Sequence, residues 1–212
     1  MNFSRLCETI CTRFKQRIII LTLLHALERI GIKITPYYLT IESLSPNLQL
    51  ESKLQPVTYG FLTREEMTLL SEYPDFPAFS KEAEKLKDED CRCFGMRYKE
   101  GIVAYCWSDL HECNSYFKRF KLNPDEAYLF SARTMPKYRG MNLAPVLRYN
   151  LYKQLNEIGR TKFYSITEYF NKSALNFKSK LNAKHKNLSL YISIFKIIKF
   201  NIKLREYGRR NL

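Results

Sequence analysis

The chain has 212 residues, enough for one sizeable α/β domain with a short extension. Apolar residues make up 45% of it, with 14 Phe and 15 Tyr, so a packed core is available and wholesale disorder is excluded. The net charge of +14 directs it towards anionic partners (nucleic acid, an acidic membrane, phosphorylated small molecules) unless compositional drift accounts for the surplus.

Residues 4–30 read as a helix, with Leu6, Ile10, Phe14, Ile18, Leu21 and Leu24 at three- and four-residue steps. Ser4 suits its N-cap and Gly31 its end. The apolar run from Ile18 to Leu27 is half the length that a bilayer-spanning helix needs, and no small-residue cleavage site follows it. A Pro- and Ser-bearing connector, TPYYLTIESLSPNLQLES, then runs to about residue 52, so residues 1–55 are expected to be a helical extension and residues 56–212 the main domain.

Within that domain, residues 57–62 read as a strand, and Thr63 caps a short helix beginning at Glu65. A charged helix is expected over 80–87. Residues 91–98 and 102–110 flank Lys99-Glu100-Gly101 and form the clearest hairpin. A strand over 127–135 stops at Pro136, a helix runs over 143–157 to Gly159, a strand covers 163–170, and a helix covers 173–181. Asn182 suits a left-handed cap, and two strands close the chain at 188–195 and 200–207. The order β-α-α-β-β-β-α-β-α-β-β gives an α/β sheet with helices on its faces.

The six cysteines include no Cys-x-x-Cys pair, so reduced thiols in the cytoplasm are expected. With three His in the chain, His111-Glu112-Cys113 is a poor metal motif, and no metal is expected.

The turn Arg139-Gly140-Met141-Asn142-Leu143-Ala144 hands a strand over to a helix. The first N–H groups of a helix lack intrahelical partners, and with the helix dipole they form an anion site. Gly140 lets backbone approach a ligand, Asn142 tolerates positive φ, Pro145 fits the first turn, and Arg139 and Arg148 add charge. The residues fit either a pyrophosphate cradle or a plain capped turn on a basic surface.

This turn resembles the Arg/Gln-x-x-Gly-x-Gly/Ala signature of the GNAT superfamily of N-acetyltransferases. Asn171-Lys172-Ser173-Ala174 with Lys180-Leu181 is similar to the same family's later helix, Asn-x-x-Ala…Tyr-x-Lys-Leu-Gly-Phe. The two motifs and the element order span about 150 residues. Three positions depart from the pattern: Asn142 replaces the first Gly, Asn182-Ala183 replaces Gly-Phe, and Lys178 stands where the family often has a Tyr general acid.

The resemblance implies a mixed, largely antiparallel central sheet with helices on both faces, and an acetyl-CoA-dependent transferase. The coenzyme's pyrophosphate would lie on the N–H groups of Gly140 to Ala144, that is Gly140, Met141, Asn142, Leu143 and Ala144, beside Arg139. Its pantetheine would run along Thr134 and Met135, whose main-chain N–H groups would polarise the thioester carbonyl, and Asn171 would touch it from the other side.

An amine acceptor has to lose a proton, and Glu168 is the chosen base; an exposed strand-end carboxylate is its alternative reading. Arg133 would hold an acidic group of the acceptor or else lie along the surface. Lys178 can protonate a departing thiolate only if burial or neighbours lower its pKa. The acceptor is an unidentified small-molecule or protein amine, and nucleic acid is not required. The competing reading is an inactive basic protein of the same fold that docks on nucleic acid or an anionic membrane.

From Asn171 onward eleven Lys and Arg stand against the single acid Glu206, a net charge of +10. As a helix this tail would lie on an anionic membrane. Its β-branched content favours a hairpin instead, with peripheral membrane contact kept open. The extension would pack on the sheet or on a partner subunit of a homo-oligomer.

Overall fold

Apolar residues on alternate sides of residues 91–109 let this stretch bury both faces. In the computed structural model, which describes residues 19–74, 76, 79, 91–99 and 101–208, it forms two paired central strands. Residues 19–29 are helical (α1). There follow β1 (Ile32–Glu42), β2 (Thr58–Phe61), α2 (Arg64–Glu72), β3 (Cys91–Tyr98), β4 (Gly101–Asp109), β5 (Glu112–Asn114), β6 (Arg119–Lys121) and β7 (Glu126–Thr134). A 3-10 turn (Pro136–Tyr138), α3 (Leu143–Glu157), β8 (Lys162–Glu168), α4 (Lys172–Ser179), β9 (Lys184–Ile194) and β10 (Ile198–Glu206) complete the order.

Eight strands make one sheet in the order β10-β9-β1-β8-β7-β4-β3-β2, antiparallel except for β7 against β8. One face carries α3 on Phe94, Met96, Ala104 and Cys106. The other buries Cys93, Tyr105 and Trp107 with Leu70 of α2, Phe76 and Phe79. The small β5–β6 hairpin adds Cys113 and Phe120 to a third cluster with Leu39, Tyr128 and Tyr164. Thr63 caps α2 through a reciprocal capping box with Glu66.

Two expectations change. Residues 32–42, which overlap the expected connector from Thr35 onward, form β1, a strand paired to both β8 and β9. The sheet therefore begins at Ile32, inside the segment expected to be an appendage. Pro36 is accommodated on this strand because it lies opposite Leu190 of β9 but just outside the ladder with β8, which starts at Tyr37 opposite Glu168. The β5–β6 hairpin was not expected, because three-residue strands carry too little periodicity to register. The helix expected over 80–87 and the first part of that over 4–30 lie outside the described residues.

Leu39 is 2% exposed in the middle of β1. Leu39→Ala should cost roughly 2–5 kcal/mol in chemical denaturation, the range for emptying a core site; a cost below about 0.5 kcal/mol, typical of surface positions, would mean that this stretch is not part of the core.

Candidate active site

The cleft begins where two strands part. β7 and β8 pair in parallel only from Glu126 to Tyr128, opposite Lys162 to Tyr164. Beyond that point β8 stays on β1 and β7 stays on β4, so the edges facing each other lack ladder partners. A bulge bends β7 further: Tyr105 pairs with Arg133 and Trp107 with Phe130, so one residue of β4 opposes two of β7, and Ser131 takes φ 47°.

The opening leads into two adjoining cavities. One, of about 630 Å³, is lined by Thr134, Arg139, Gly140, Asn142, Ala144 and Lys180 among others. The other, of about 380 Å³, is lined by Phe130, Arg148, Thr167, Glu168 and Lys178 among others. Ala132, Arg133, Asn171, Ala174 and Phe177 border both.

The start of α3 forms one wall. Gly140 has φ 81° and Asn142 φ 61°, both left-handed, so Asn142 adopts the conformation that its departure from the glycine pattern requires. Asn142 is the N-cap residue, yet its side chain makes no cap hydrogen bond. Its Oδ1 accepts from Lys180 Nζ at 2.7 Å, and its Nδ2 donates to Glu51 O at 3.3 Å. The Leu143 and Ala144 N–H groups are thus left without a side-chain cap at the edge of the larger cavity, with Arg139 and Lys180 beside them. Such an end suits an anion.

On β7, the Met135 N–H donates to Val103 O at 2.9 Å. Alternation in an antiparallel pair then turns the Thr134 N–H away from β4, toward the opening. Met135 packs in the core with α2, and Met141 packs against the α3 core, its carbonyl accepting from Lys53 N at 3.3 Å. The Met135 N–H is therefore taken up by β4 and cannot meet a coenzyme, which corrects its expected place; of the pair at 134 and 135, Thr134 is the one whose N–H faces the opening. Asn171 borders both cavities, but its Oδ1 caps α4 by accepting from Ala174 N at 3.0 Å.

Behind the opening lies a buried charge cluster. Glu42 of β1, Arg148 of α3 and Lys178 of α4 are buried together. Arg148 Nε stands 3.8 Å from Glu42 Oε2, and Lys178 Nζ stands 3.7 Å from Glu42 Oε1. Ser165 Oγ and Tyr152 OH donate to the same carboxylate. Lys178 Nζ donates to Ser165 Oγ at 2.6 Å and to Thr167 Oγ1.

Burial opposes the charge on Glu42, but Arg148, Lys178 and the two hydroxyl donors outweigh it and hold its pKa below the ordinary value. Burial pushes Lys178 down to about 8, with Glu42 pulling the other way. The cluster holds two cations against one carboxylate, and Arg148 Nε and Nη1 have no hydrogen-bond acceptor. Arg148 therefore faces this cluster, not the anion turn where its sequence position had suggested it would add charge.

No family model and no curated protein matches the sequence. Solved structures do. The chain is similar to a GCN5-related N-acetyltransferase from Kribbella flavida, with 14% identity and a TM-score of 0.53 over 80% of this chain and 62% of that one. It is also similar to a GNAT-family acetyltransferase from Colwellia psychrerythraea, with 14% identity and a TM-score of 0.52 over 77% and 57%. The chain has the GNAT fold. The chain is similar as well to a conserved, functionally unknown protein from Staphylococcus epidermidis, with 7% identity and a TM-score of 0.54 over 82% of this chain and 66% of that one. The chain thus spans between 57% and 66% of the length of these three structures.

In this GNAT fold, Gly140, Asn142, Leu143, Ala144 and Arg139 form one wall of the cleft, and Asn171 and Lys178 of α4 stand across from them. Glu168 lies exposed at the mouth, at the end of β8, and Arg133 is exposed on β7. Sequence reasoning missed Glu42, Ser165 and Thr167 as neighbours of Lys178. Glu42 fell in the supposed connector, and no local pattern marks a carboxylate that meets its partners only across the sheet. Lys180 was legible as part of the second motif; its contact with Asn142 was not.

The position of Lys178 has a consequence for stability. Its pKa is about 8 in the folded chain against an ordinary 10.5, so between those values the unfolded chain binds the extra proton and unfolding free energy gains with rising pH. In urea denaturation below and above pH 8, the parent should gain stability relative to Lys178→Met as pH rises. Parallel pH dependences for the two would show that Lys178 keeps an ordinary pKa.

Proposed function

We propose that the chain is an acyl-CoA-dependent N-acyltransferase that moves acetyl from acetyl-CoA to a primary amine of a small molecule or protein. The observation that carries this reading is the uncapped start of α3, opening with two flanking cations onto the cleft between the parted strands. The residues fit the donor. The N–H groups at Leu143 and Ala144 suit its pyrophosphate, and Thr134 offers an N–H along the strand edge where the thioester carbonyl would lie.

The chemistry then falls to three groups. Glu168 at the mouth takes the proton from the acceptor amine, directly or through water, so that its nitrogen can attack the thioester carbon. The Thr134 N–H stabilises the oxygen as negative charge develops on it. When the carbon–sulfur bond breaks, the electron pair leaves on sulfur and Lys178 Nζ supplies its proton. Two features suit Lys178 to this role in place of a tyrosine: its pKa of about 8 lies near the ordinary thiol value of about 8.5, and the cluster around it carries an excess positive charge that favours a thiolate. Arg133, on the bulged strand at the border of both cavities, would receive an acidic group of the acceptor.

Isothermal titration should show micromolar binding of CoA. Gly140→Asp should abolish it without unfolding the chain, because space around Gly140 is open and Asp tolerates positive φ, while the new carboxylate meets the phosphates. Lys178→Met should keep CoA affinity and lower kcat by about 10²–10⁴. In the parent, kcat should fall as pH rises through about 8, where Lys178 loses its proton. Failure to bind CoA, together with salt-sensitive binding of duplex DNA, would favour the inactive basic protein instead.

A further inference from the structure

Among the described residues, one charged side chain has buried nitrogens without a hydrogen-bond acceptor: Arg148, through Nε and Nη1. It is 2% exposed. The cause lies on its own helix. Tyr152, one turn further along α3, donates to Glu42 Oε2, and Arg148 Nε stops 3.8 Å from that same oxygen. Ser165 donates to Oε1, so the carboxylate attracts the guanidinium by charge without accepting its hydrogen bonds. Arg148 is held in place by Phe177, with Cζ 5.9 Å from the ring centre. An interior guanidinium that has lost water and gained no acceptor is costly, a cost that a ligand's own acceptors would remove.

The smaller cavity is where such a ligand would sit. Arg148 lines it, and so does the buried Lys178, whose ammonium already has Ser165 and Thr167 as acceptors. Leu129, Phe130, Ile166 and Phe177 give it apolar walls. Glu168 borders the same cavity from the exposed end of β8. One space thus has a carboxylate at its rim and an unsatisfied guanidinium at its buried end. That polarity is the complement of a small zwitterion, amine outward and acid inward. The volume, about 380 Å³, falls within the range of roughly 300–1,000 Å³ usual for small-molecule sites. A free small molecule can meet a guanidinium this deep, whereas a lysine on a protein surface brings no acid group in with its amine.

We infer that the acceptor is a free amino acid, whose carboxylate seats on Arg148 while its amine faces Glu168. The inference rests on the transferase reading and narrows its acceptor from any small-molecule or protein amine to this class. Arg133, exposed at the rim, draws the acid in, and Arg148, stripped of water, holds it. A carboxylate could also arrive at the end of a dicarboxylic acyl chain on the coenzyme. Glu168 on the same cavity favours the acceptor, because an amino acid answers both charges with one molecule.

The test uses the full chain with acetyl-CoA and the common amino acids, β-alanine and γ-aminobutyrate, each beside its own carboxamide, which keeps the shape and removes the charge. The best acid should have a KM at least about tenfold below that of its amide, the factor for a charge-assisted hydrogen bond. Arg148→Met, which leaves Glu42 to Lys178, should erase that difference, and Arg148→Lys should restore part of it. Thermal shifts of the CoA-loaded parent with the same pairs read the preference without turnover and without relying on a variant to fold. The inference is overturned if no acid of the panel binds, if amides bind as well as acids, or if the preference survives in Arg148→Met. It is equally overturned if Arg148→Met instead erases a preference for succinyl-CoA over acetyl-CoA while acids and amides stay equal, which puts the carboxylate on the donor. If the chain binds no CoA, the transferase reading falls by itself. A thermal shift of the unloaded chain by acids and not by amides, lost in Arg148→Met, then upholds the Arg148 seat, and its absence overturns it.

Discussion

The whole site depends on the parting of two strands. A parallel pair carries evenly spaced hydrogen bonds as long as it stays in register. Here β7 leaves that register after Tyr128, drawn along β4 by its bulge at Ser131, while β8 remains on β1. Two unpaired edges inside a sheet would be a defect in a purely structural protein. In this chain the defect is walled by the two helices that follow those strands, and it becomes a cleft that both sequence motifs border.

Helix ends and buried charge divide the labour along that opening. At the outer wall, α3 starts without a side-chain cap because Asn142 spends its amide on Lys180 and Glu51. The arrangement ties α4 and the segment before β2 to the turn and leaves the helix N–H groups outward. Deeper in, Glu42 holds Arg148 and Lys178 from opposite oxygens. A carboxylate buried with one cation would be balanced; with two it leaves the interior short of negative charge, and an unpaired buried cation is costly. Burial, with a smaller push from Arg148, depresses Lys178, and the excess positive charge favours any ligand atom that becomes negative beside it.

β1 shows why position in the chain misleads. It carries Pro36 and two adjacent Tyr, and it is followed by Ser43, Ser45 and Pro46, all turn-formers by composition. Its neighbours decide otherwise: β8 and β9 complete its hydrogen bonds on both sides, and Leu39 and Tyr37 find core partners across the sheet. The hairpin of β3 and β4, by contrast, was readable, because its alternation and its Gly-bearing turn act over a few residues. So was the left-handed geometry at Asn142 and Asn182, since αL tolerance is a property of the side chain itself.

By itself the sequence determined the element order from the β3–β4 hairpin to β10 apart from β5 and β6, the strand–turn–helix unit at residue 140 with its left-handed Asn, and a cationic, β-forming tail. Those follow from local periodicity and from the backbone preferences of single residues. Only the tertiary structure decided that β1 belongs to the sheet, that Met135 and Met141 turn inward, and that Arg148 and Lys178 share Glu42. It likewise decided that the last hairpin shows solvent its apolar side. Each of these is fixed by which distant surfaces come into contact, and the free energy of such contacts depends on burial and dielectric surroundings that no local stretch of sequence carries.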